Sequence, residues 1–214
     1  MREIAGATIL NARDLSQIAA FTAQKAVQRY PLYSILDVPA GGGSVTQLNF
    51  FATAKGGTQT VGGTALDMDL SRTNIQKANA ISTPNDYILK AIRLWVQPDA
   101  DTYTLVLADI ADMMKVLGTG YFKLVFGERE HLLIAPPLMI SSGMGLTGFG
   151  GGGTNTDIVV PSNAHPLIFK VEPWVLIPSE LNFQATLNYA TALTNTTKAR
   201  VGLIFDGDLV RNAS

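Results

Sequence analysis

The feature of this chain that most constrains its fold is the ten-residue run 87–96. Four of its five even-numbered positions are apolar, and Lys90 and Arg93 stand between them. Such spacing predicts a β-strand with at least one buried face. Pro84 and Pro98 flank the run, and proline is typical of the turns that bound a strand. Similar runs recur as far as residue 211, which indicates an all-β protein.

Roughly eight strands are predicted, a number that suits two packed sheets in a β-sandwich or a single jelly roll. Residues 127–130 read as a hairpin turn, and Asp206-Gly207 predicts a second turn. Glycines at 56–57 and 62–63 bracket a predicted polar loop, and seven glycines lie within a long predicted loop at 141–156. Besides 87–96, the predicted strands are 45–53, 65–70, 121–126, 131–135, 167–171, 182–189, 199–205 and 209–211.

Two helices are predicted. The first spans 13–30, where Asp14 is a suitable N-cap and Pro31 ends the helix. The second is short and spans 109–117, because apolar residues recur there at helical spacing before Gly118, and its Met113 and Met114 are expected to fill the core. Glycines 41–43 form a flexible joint. The sequence therefore predicts an N-terminal helical arm, 1–40, and a β-sandwich domain with one inserted helix, 41–214.

The composition favours contact with other macromolecules. Charged residues make up 15% of the chain, against about 25% in typical domains. Part of the surface is therefore expected to meet protein or lipid, although large loops rich in glycine and threonine in an isolated domain are an alternative. The net charge is −1, and residues 1–40 carry four cations and three carboxylates, so no nucleic-acid binding is expected.

Cysteine is absent, which excludes disulfides and cysteine-ligated metals. No apolar run approaches the ~20 residues that span a bilayer. The first residues lack the apolar core of a secretory signal, so glycosylation at Asn195 or Asn212, each in an Asn-X-Ser/Thr triplet, is not expected.

One glycine motif matches a nucleotide-binding pattern, but the sequence around it does not fit a nucleotide-binding site. Residues 143–148 match the glycine spacing of a dinucleotide-binding loop, G-x-G-x-x-G. That loop must follow a strand and open a helix, whereas four glycines follow here at 150–153 and disfavour a helix. No Gly-Lys-Ser/Thr sequence is present to complete a phosphate-binding loop.

No group of residues has the spacing of a catalytic or metal site. The two histidines, His131 and His165, have no His, Asp or Glu at ligand spacing, and no Gly-x-Ser-x-Gly elbow occurs. Three carboxylate pairs fit solvated turns or strand edges, although calcium binding by Asp99 and Asp101 is an alternative. We therefore expect no enzyme, and no catalytic, cofactor-binding or metal-binding residues. The pairs are Asp67 with Asp69, Asp99 with Asp101, and Glu128 with Glu130.

Three segments of the last third carry a resemblance. They are HPLIF at 165–169, WVLIPSELNF at 174–183 and RVGLIFDGDLVR at 200–211. These segments resemble the closing strands of jelly-roll capsid proteins of tailless icosahedral, membrane-containing bacterial viruses, and residues 73–89 are similar in style. The resemblance extends over 45–211. Because 214 residues hold one such sandwich comfortably, the chain resembles the single jelly-roll members or a minor capsid component.

The resemblance implies a structural capsid protein, without active site or cofactor, that self-assembles into a virion shell. Its implied partners are copies of itself, other capsid proteins and an internal lipid membrane, and its implied location is the virion, after synthesis in the host cytoplasm. The residues left two alternatives. One is a carbohydrate- or receptor-binding sandwich with an exposed aromatic platform formed by Trp95, Trp174 or tyrosines. The other is an enzyme in which a carboxylate meets His131 or His165.

Overall fold

The fold was established from a computed structural model. The structure describes residues 2–4, 7–10, 25–41, 44–98, 107–127, 129–140, 146–147, 160–161 and 169–212. Strands dominate these residues, and two helices accompany them: α1 (Leu107–Gly118) and α2 (Pro137–Ile140). The strands are β1 (Arg2–Ile4), β2 (Ala7–Leu10), β3 (Lys25–Arg29), β4 (Leu32–Val38), β5 (Val45–Phe50), β6 (Thr58–Val61), β7 (Thr64–Asp67), β8 (Asn85–Pro98), β9 (Gly120–Phe126), β10 (Arg129–Ala135), β11 (Leu146–Thr147), β12 (Val160–Pro161), β13 (Phe169–Ile177), β14 (Phe183–Leu193) and β15 (Ala199–Asn212).

The larger sheet has seven strands and is built around two long ones, β8 and β15, of 14 residues each. Its order is β1-β2-β13-β8-β15, and both β3 and β4 pair with the remaining edge of β15. Strand β4 takes the first half of that edge, where Val38 lies opposite Ala199. Strand β3 takes the second half, where Arg29 lies opposite Asp208. All pairs are antiparallel, so β15 is hydrogen-bonded on both sides along its length.

The second sheet has four antiparallel strands in the order β10-β9-β14-β5. Strands β6 and β7 form a separate hairpin, and β11 and β12 form another short pair. The inner faces of the two main sheets supply one continuous hydrophobic core. Phe183 of β14 and Phe205 of β15 meet there with ring centroids 5.9 Å apart, and Phe51 contacts both. Aromatic contact therefore joins the sheets face to face, as in a β-sandwich.

Eight of the strands pair in a nested order. Strand β4 pairs with β15, β5 with β14, β8 with β13 and β9 with β10, so the first pairs with the last and the innermost two form a hairpin. The pairs alternate between the two sheets, and the contacts β8–β15 and β9–β14 then bring neighbouring pairs side by side. The chain thus behaves as one long antiparallel ribbon wrapped around the core.

The prediction of an all-β sandwich is confirmed, whereas the N-terminal helical arm is not. Residues Lys25–Arg29, within the predicted helix 13–30, form β3, and Leu32–Val38 form β4. Long-range pairing with β15 outweighs the local helical preference of residues 25–29. Residues 13–24 lie outside the described part of the chain. The inserted helix is confirmed as α1, which contains the predicted range 109–117.

Within the described residues, no helix has the length and apolarity needed to traverse a bilayer.

Candidate assembly surfaces

The carboxylate pair at the end of β7 is used locally. The Asp67 and Asp69 side chains are exposed. An Asp67 oxygen accepts a hydrogen bond from Thr58 Oγ1 at 3.3 Å, and Asp69 accepts one from the Ser71 amide at 2.9 Å. These carboxylates belong to a strand end and a turn. No group of three or more potential metal ligands occurs within the described ranges.

Most of the other candidates lie beyond the described residues. These are Asp99, Asp101, Glu128, His165 and the glycine run 143–148 apart from Leu146 and Thr147. Glu130 and His131 stand in β10, and only the backbone of these two residues is described. Of the two glycosylation triplets, Asn195 is buried with 3% of its surface exposed, and its carbonyl oxygen accepts the Gly41 amide at 2.8 Å. The folded chain therefore does not present Asn195 to solvent.

The two tryptophans each have a ring face covered by the large sheet. Trp95 on β8 lies across Gly202 of β15, so closely that a Cβ atom at Gly202 would stand 2.1 Å from the indole. Trp174 on β13 has the Lys90 ammonium 4.4 Å from its ring centre, a cation–π contact. Both rings are half-buried. Neither forms an open platform of the kind that stacks a sugar.

The outer face of the large sheet carries charges that pair across its strands. Asp37 on β4 is 2% exposed and binds three cations: Arg72 at 2.7 Å, Lys198 at 3.1 Å and Arg200 at 3.3 Å. Burial raises the pKa of Asp37, but the hydrogen bonds and charges of Arg72 and Lys198 outweigh that effect, so its pKa lies below the ordinary value. The cluster fastens the loop before Thr73 to β4 and β15.

A second buried carboxylate, Asp112, positions helix α1. One of its oxygens accepts the backbone amides of Thr196 and Thr197, both at 2.7 Å, and the other contacts Lys115 Nζ at 2.7 Å. Burial raises the pKa of Asp112, and the hydrogen bonds from Lys115 and the two amides more than reverse that shift, so the pKa is lowered. The helix is thereby tied to the connection between β14 and β15.

The most conspicuous surface feature is a group of exposed apolar side chains at this end of the sandwich, which we call the methionine patch. Seven large apolar side chains of the described residues are exposed, and five of them belong to this group. The patch consists of Met114 at 56%, Tyr121 at 45%, Ile134 at 52%, Leu138 at 53% and Met139 at 61% exposure.

Chain connectivity places these five side chains on neighbouring elements. Helix α1 leads directly into β9, β10 leads directly into α2, and the two helices contact each other. Ala135 of β10 lies opposite Phe122 of β9, so the end of β10 and the start of β9 are adjacent. Ile134 lies opposite Lys123, two residues from Tyr121, which puts Ile134 and Tyr121 on one face of the sheet.

Sequence reasoning found only part of this patch. Met113 and Met114 were both expected to fill the core; Met113 is 4% exposed, whereas Met114 is 56% exposed. Helix α2 was not predicted, because Pro136-Pro137 indicated only the end of a strand. The available signal was the apolar run Leu138-Met139-Ile140, which has just one buried member, Ile140.

The outer wall of the four-stranded sheet continues the patch with few charges. Its described positions on β5, β9 and β14 include Gln47, Asn49, Gln184 and Asn188, and its one charged residue among them is Lys123. Gln47 Nε2 donates to Asn188 Oδ1 at 2.9 Å, so part of this wall is tied by side-chain amides. A wall with a single charged residue among these positions costs less to desolvate than a highly charged one, which suits contact with another protein.

Comparison with known proteins is the remaining source of information on function. No protein-family model matches the chain, and neither a curated protein nor a solved structure does.

Proposed function

We propose that this protein is a structural capsid subunit with a jelly-roll fold, which self-assembles into an icosahedral virion shell. The observation that carries the proposal is the nested pairing of eight strands, β4 with β15, β5 with β14, β8 with β13 and β9 with β10. A ribbon of four antiparallel pairs, wrapped so that the pairs alternate between two sheets, is the arrangement expected of a jelly roll, whose known uses include viral capsid and lectin domains.

Because one fold serves several functions, the surface must support the choice among them. The methionine patch offers five exposed apolar side chains next to a nearly uncharged wall. Exposed apolar groups of this kind favour a protein–protein contact. A lectin-like function would instead call for an open aromatic platform, and both Trp95 and Trp174 have a covered face.

The proposed partners are copies of the same chain, other capsid proteins and an internal membrane of a tailless bacterial virus. The proposed location is the virion, after synthesis in the host cytoplasm. The low charge of the chain, 15% of its residues, supports such a role because many modest apolar contacts add up across a closed shell. No catalytic step and no nucleic-acid contact are part of this proposal.

The experiment compares the wild type with the double variant Leu138→Lys/Met139→Lys by size-exclusion chromatography with light scattering and by negative-stain microscopy. We expect rings or shells from the wild type and monomers from the variant, because two cations would be buried in the contact. Both replaced side chains are more than half exposed, so the thermal midpoint should stay within a few degrees of that of the wild type.

The control is Val27→Lys, which places one added cation on β3 at a side chain that is 43% exposed and outside the patch. It should assemble like the wild type. A wild-type protein that stays monomeric at every salt and protein concentration, alone and with its co-purifying viral proteins, would contradict the proposed function.

A further inference from the structure

The methionine patch is the one group of exposed large apolar side chains among the described residues. The two exposed side chains of this kind outside the patch, Val27 and Leu70, stand singly on β3 and in the loop after β7. The buried centre of a protein–protein interface is apolar and rich in methionine and tyrosine. A protein that covers the patch must therefore bring apolar side chains of its own.

The size of the patch selects what can cover it. Its five side chains are between 45% and 61% exposed. At roughly 200 Å² for a fully exposed side chain of this size, they present about 500 Å² of apolar surface in each copy. Two patches together would bury about 1,000 Å², which reaches the lower bound for a specific interface. Contact with Val27 or Leu70 would instead leave most of the patch against polar groups.

Two lysines beside the patch are already engaged within their own chain. Lys115 Nζ lies 2.7 Å from Asp112 Oδ1 and donates to the Thr194 carbonyl at 3.3 Å. Lys123 on β9 also has an interaction within the chain. Apolar area, and not charge, is therefore what selects the partner of this surface.

The patch can be approached from the side of the sandwich. Strand β10, which carries Ile134, is the edge of the four-stranded sheet, and no described strand pairs with its outer side. Met114 and Met139 stand on the two helices beside that edge. Methionine side chains are unbranched and adapt their shape to a neighbour, so two identical surfaces of this composition can fit together.

We propose that two copies of this chain join patch to patch about a two-fold axis, and that this dimer is the unit from which the shell is built. Its place in a shell rests on the proposed function, whereas the contact itself rests on the patch. A two-fold contact uses the same surface on both copies and is closed. Contacts made elsewhere on the molecule then join the dimers to one another.

The first test mixes two variants of opposite charge, Leu138→Lys/Met139→Lys and Leu138→Glu/Met139→Glu. Each alone should bind its own copy at least about a hundredfold more weakly than the wild type, because like charges would meet across the axis. An equimolar mixture should restore association to within about tenfold, as dimers of one chain of each variant. Native mass spectrometry with one variant labelled with nitrogen-15 identifies these dimers. The controls, Val27→Lys and Val27→Glu, should each dimerise without mixing.

The second test is disulfide trapping, which the absence of cysteine from the chain allows. Three single variants, Met114→Cys, Leu138→Cys and Met139→Cys, are each oxidised alone under mild conditions. About a two-fold axis, the side chain nearest the axis meets its own copy, so at least one of the three should form a covalent dimer without mixing. Val27→Cys is the matched control and should give background only.

The outcomes separate this inference from the proposed function. If the wild type forms shells, but mixing restores nothing and all three cysteine variants give background only, the patch meets a different surface and the two-fold contact is overturned, while the capsid role stands. Patch-to-patch dimers that never form shells, alone or with co-purifying viral proteins, would support the contact and contradict the capsid role. A wild type that stays monomeric under all of these conditions would overturn both.

Discussion

Asp112 and Asp37 have the same structural role: each is a buried carboxylate that binds segments far apart in the sequence. Asp112 binds residues 84 and 85 positions away, Thr196 and Thr197, and Asp37 binds Arg200 at a separation of 163. A buried carboxylate is stable only when donors surround it, since its desolvation is costly. Both sites therefore depend on correct packing of the connections that supply their donors.

Replacement of Asp112 should expose this dependence. In Asp112→Ala the Thr196 and Thr197 amides and Lys115 lose their acceptor, so we expect the free energy of unfolding in urea to fall by about 3 kcal/mol at pH 7. The exposed carboxylate Asp67 gives the control, because Asp67→Asn should change that free energy by less than about 0.5 kcal/mol. An Asp112→Ala variant as stable as the wild type would contradict the assigned role.

The same carboxylates predict an acid limb of stability. The folded pKa values of Asp37 and Asp112 lie below the ordinary value, so their stabilisation is complete above that value and is lost as the pH falls toward the folded pKa. The difference in unfolding free energy between the wild type and Asp112→Asn should therefore shrink below about pH 4. Urea titrations at several pH values measure it, and a difference that grows with acid would refute the assignment.

Two glycines of β15 should respond differently to alanine. At Gly202 a Cβ atom would meet the Trp95 side chain, whereas at Gly207 it would stand 2.1 Å from the Ile88 carbonyl oxygen, which is backbone. We expect each alanine variant to lose about 1–3 kcal/mol in urea denaturation. Adding Trp95→Ala should make the Gly202→Ala step nearly neutral but should not relieve Gly207→Ala. If Trp95→Ala changed the cost of Gly202→Ala and of Gly207→Ala by the same amount, the assigned contacts of these two glycines would be wrong.

At the scale of elements, β3 and β4 matter because they complete the edge of β15. Leu32, Leu36 and Val38 of β4 are at most 4% exposed and belong to the main core. Each buried side chain of this size contributes about 2 kcal/mol. The segment 25–38 is therefore part of the sandwich, in contrast to the separate arm that the sequence predicted.

Truncation tests that conclusion. Deletion of residues 1–40 should abolish cooperative unfolding, because it removes the three core side chains of β4 and uncovers the edge of β15. Deletion of 1–24 removes β1 and β2 from the far edge of the large sheet but should retain the fold, since β3, β4 and every described member of the core remain. Circular dichroism during urea denaturation distinguishes the two deletion variants. A cooperative transition in the 1–40 deletion would show that β4 is dispensable.

Strands with regular alternation were predictable from the sequence, and those with buried polar residues were not. The run 87–96 became β8, and the predicted hairpin became β9 and β10. Strand β4 was missed because its buried positions include Ser34, whose Oγ accepts the amide of Phe51, a partner brought in by the fold. Strand β6 was predicted as a polar loop because three of its four residues, Thr-Gln-Thr-Val, are polar. In the structure Gln59 and Val61 are nevertheless buried.

The prediction of a turn at Asp206-Gly207 was wrong for a related reason. Strand β15 continues through these residues with a bulge, because Gly207 allows close approach of the β8 backbone. The surfaces were less predictable still. The methionine patch joins residues of two strands and two helices, and the pairing of β9 with β10 and the contact between α1 and α2 bring these elements together.

At the scale of the whole molecule, the two walls of the sandwich differ in character. The outer face of the large sheet pairs its charges, as between Arg93 and Asp206 at 2.6 Å. The described outer positions of β5, β9 and β14 in the four-stranded sheet are mostly uncharged, and this wall ends at the methionine patch. A subunit with one wall suited to water and another suited to protein has a preferred orientation in an assembly, which fits the proposed place in a shell.

The position of β15 has a consequence for how the protein is made. This strand is translated after all the other described strands, yet it lies inside the large sheet, between β8 on one side and β3 and β4 on the other. The ribosome must therefore deliver residues 199–212 before β3 and β4 can find their partner, and their contacts span most of the chain. A nascent chain cannot complete the large sheet until residues 199–212 have left the ribosome, so the proposed assembly should begin only after that point.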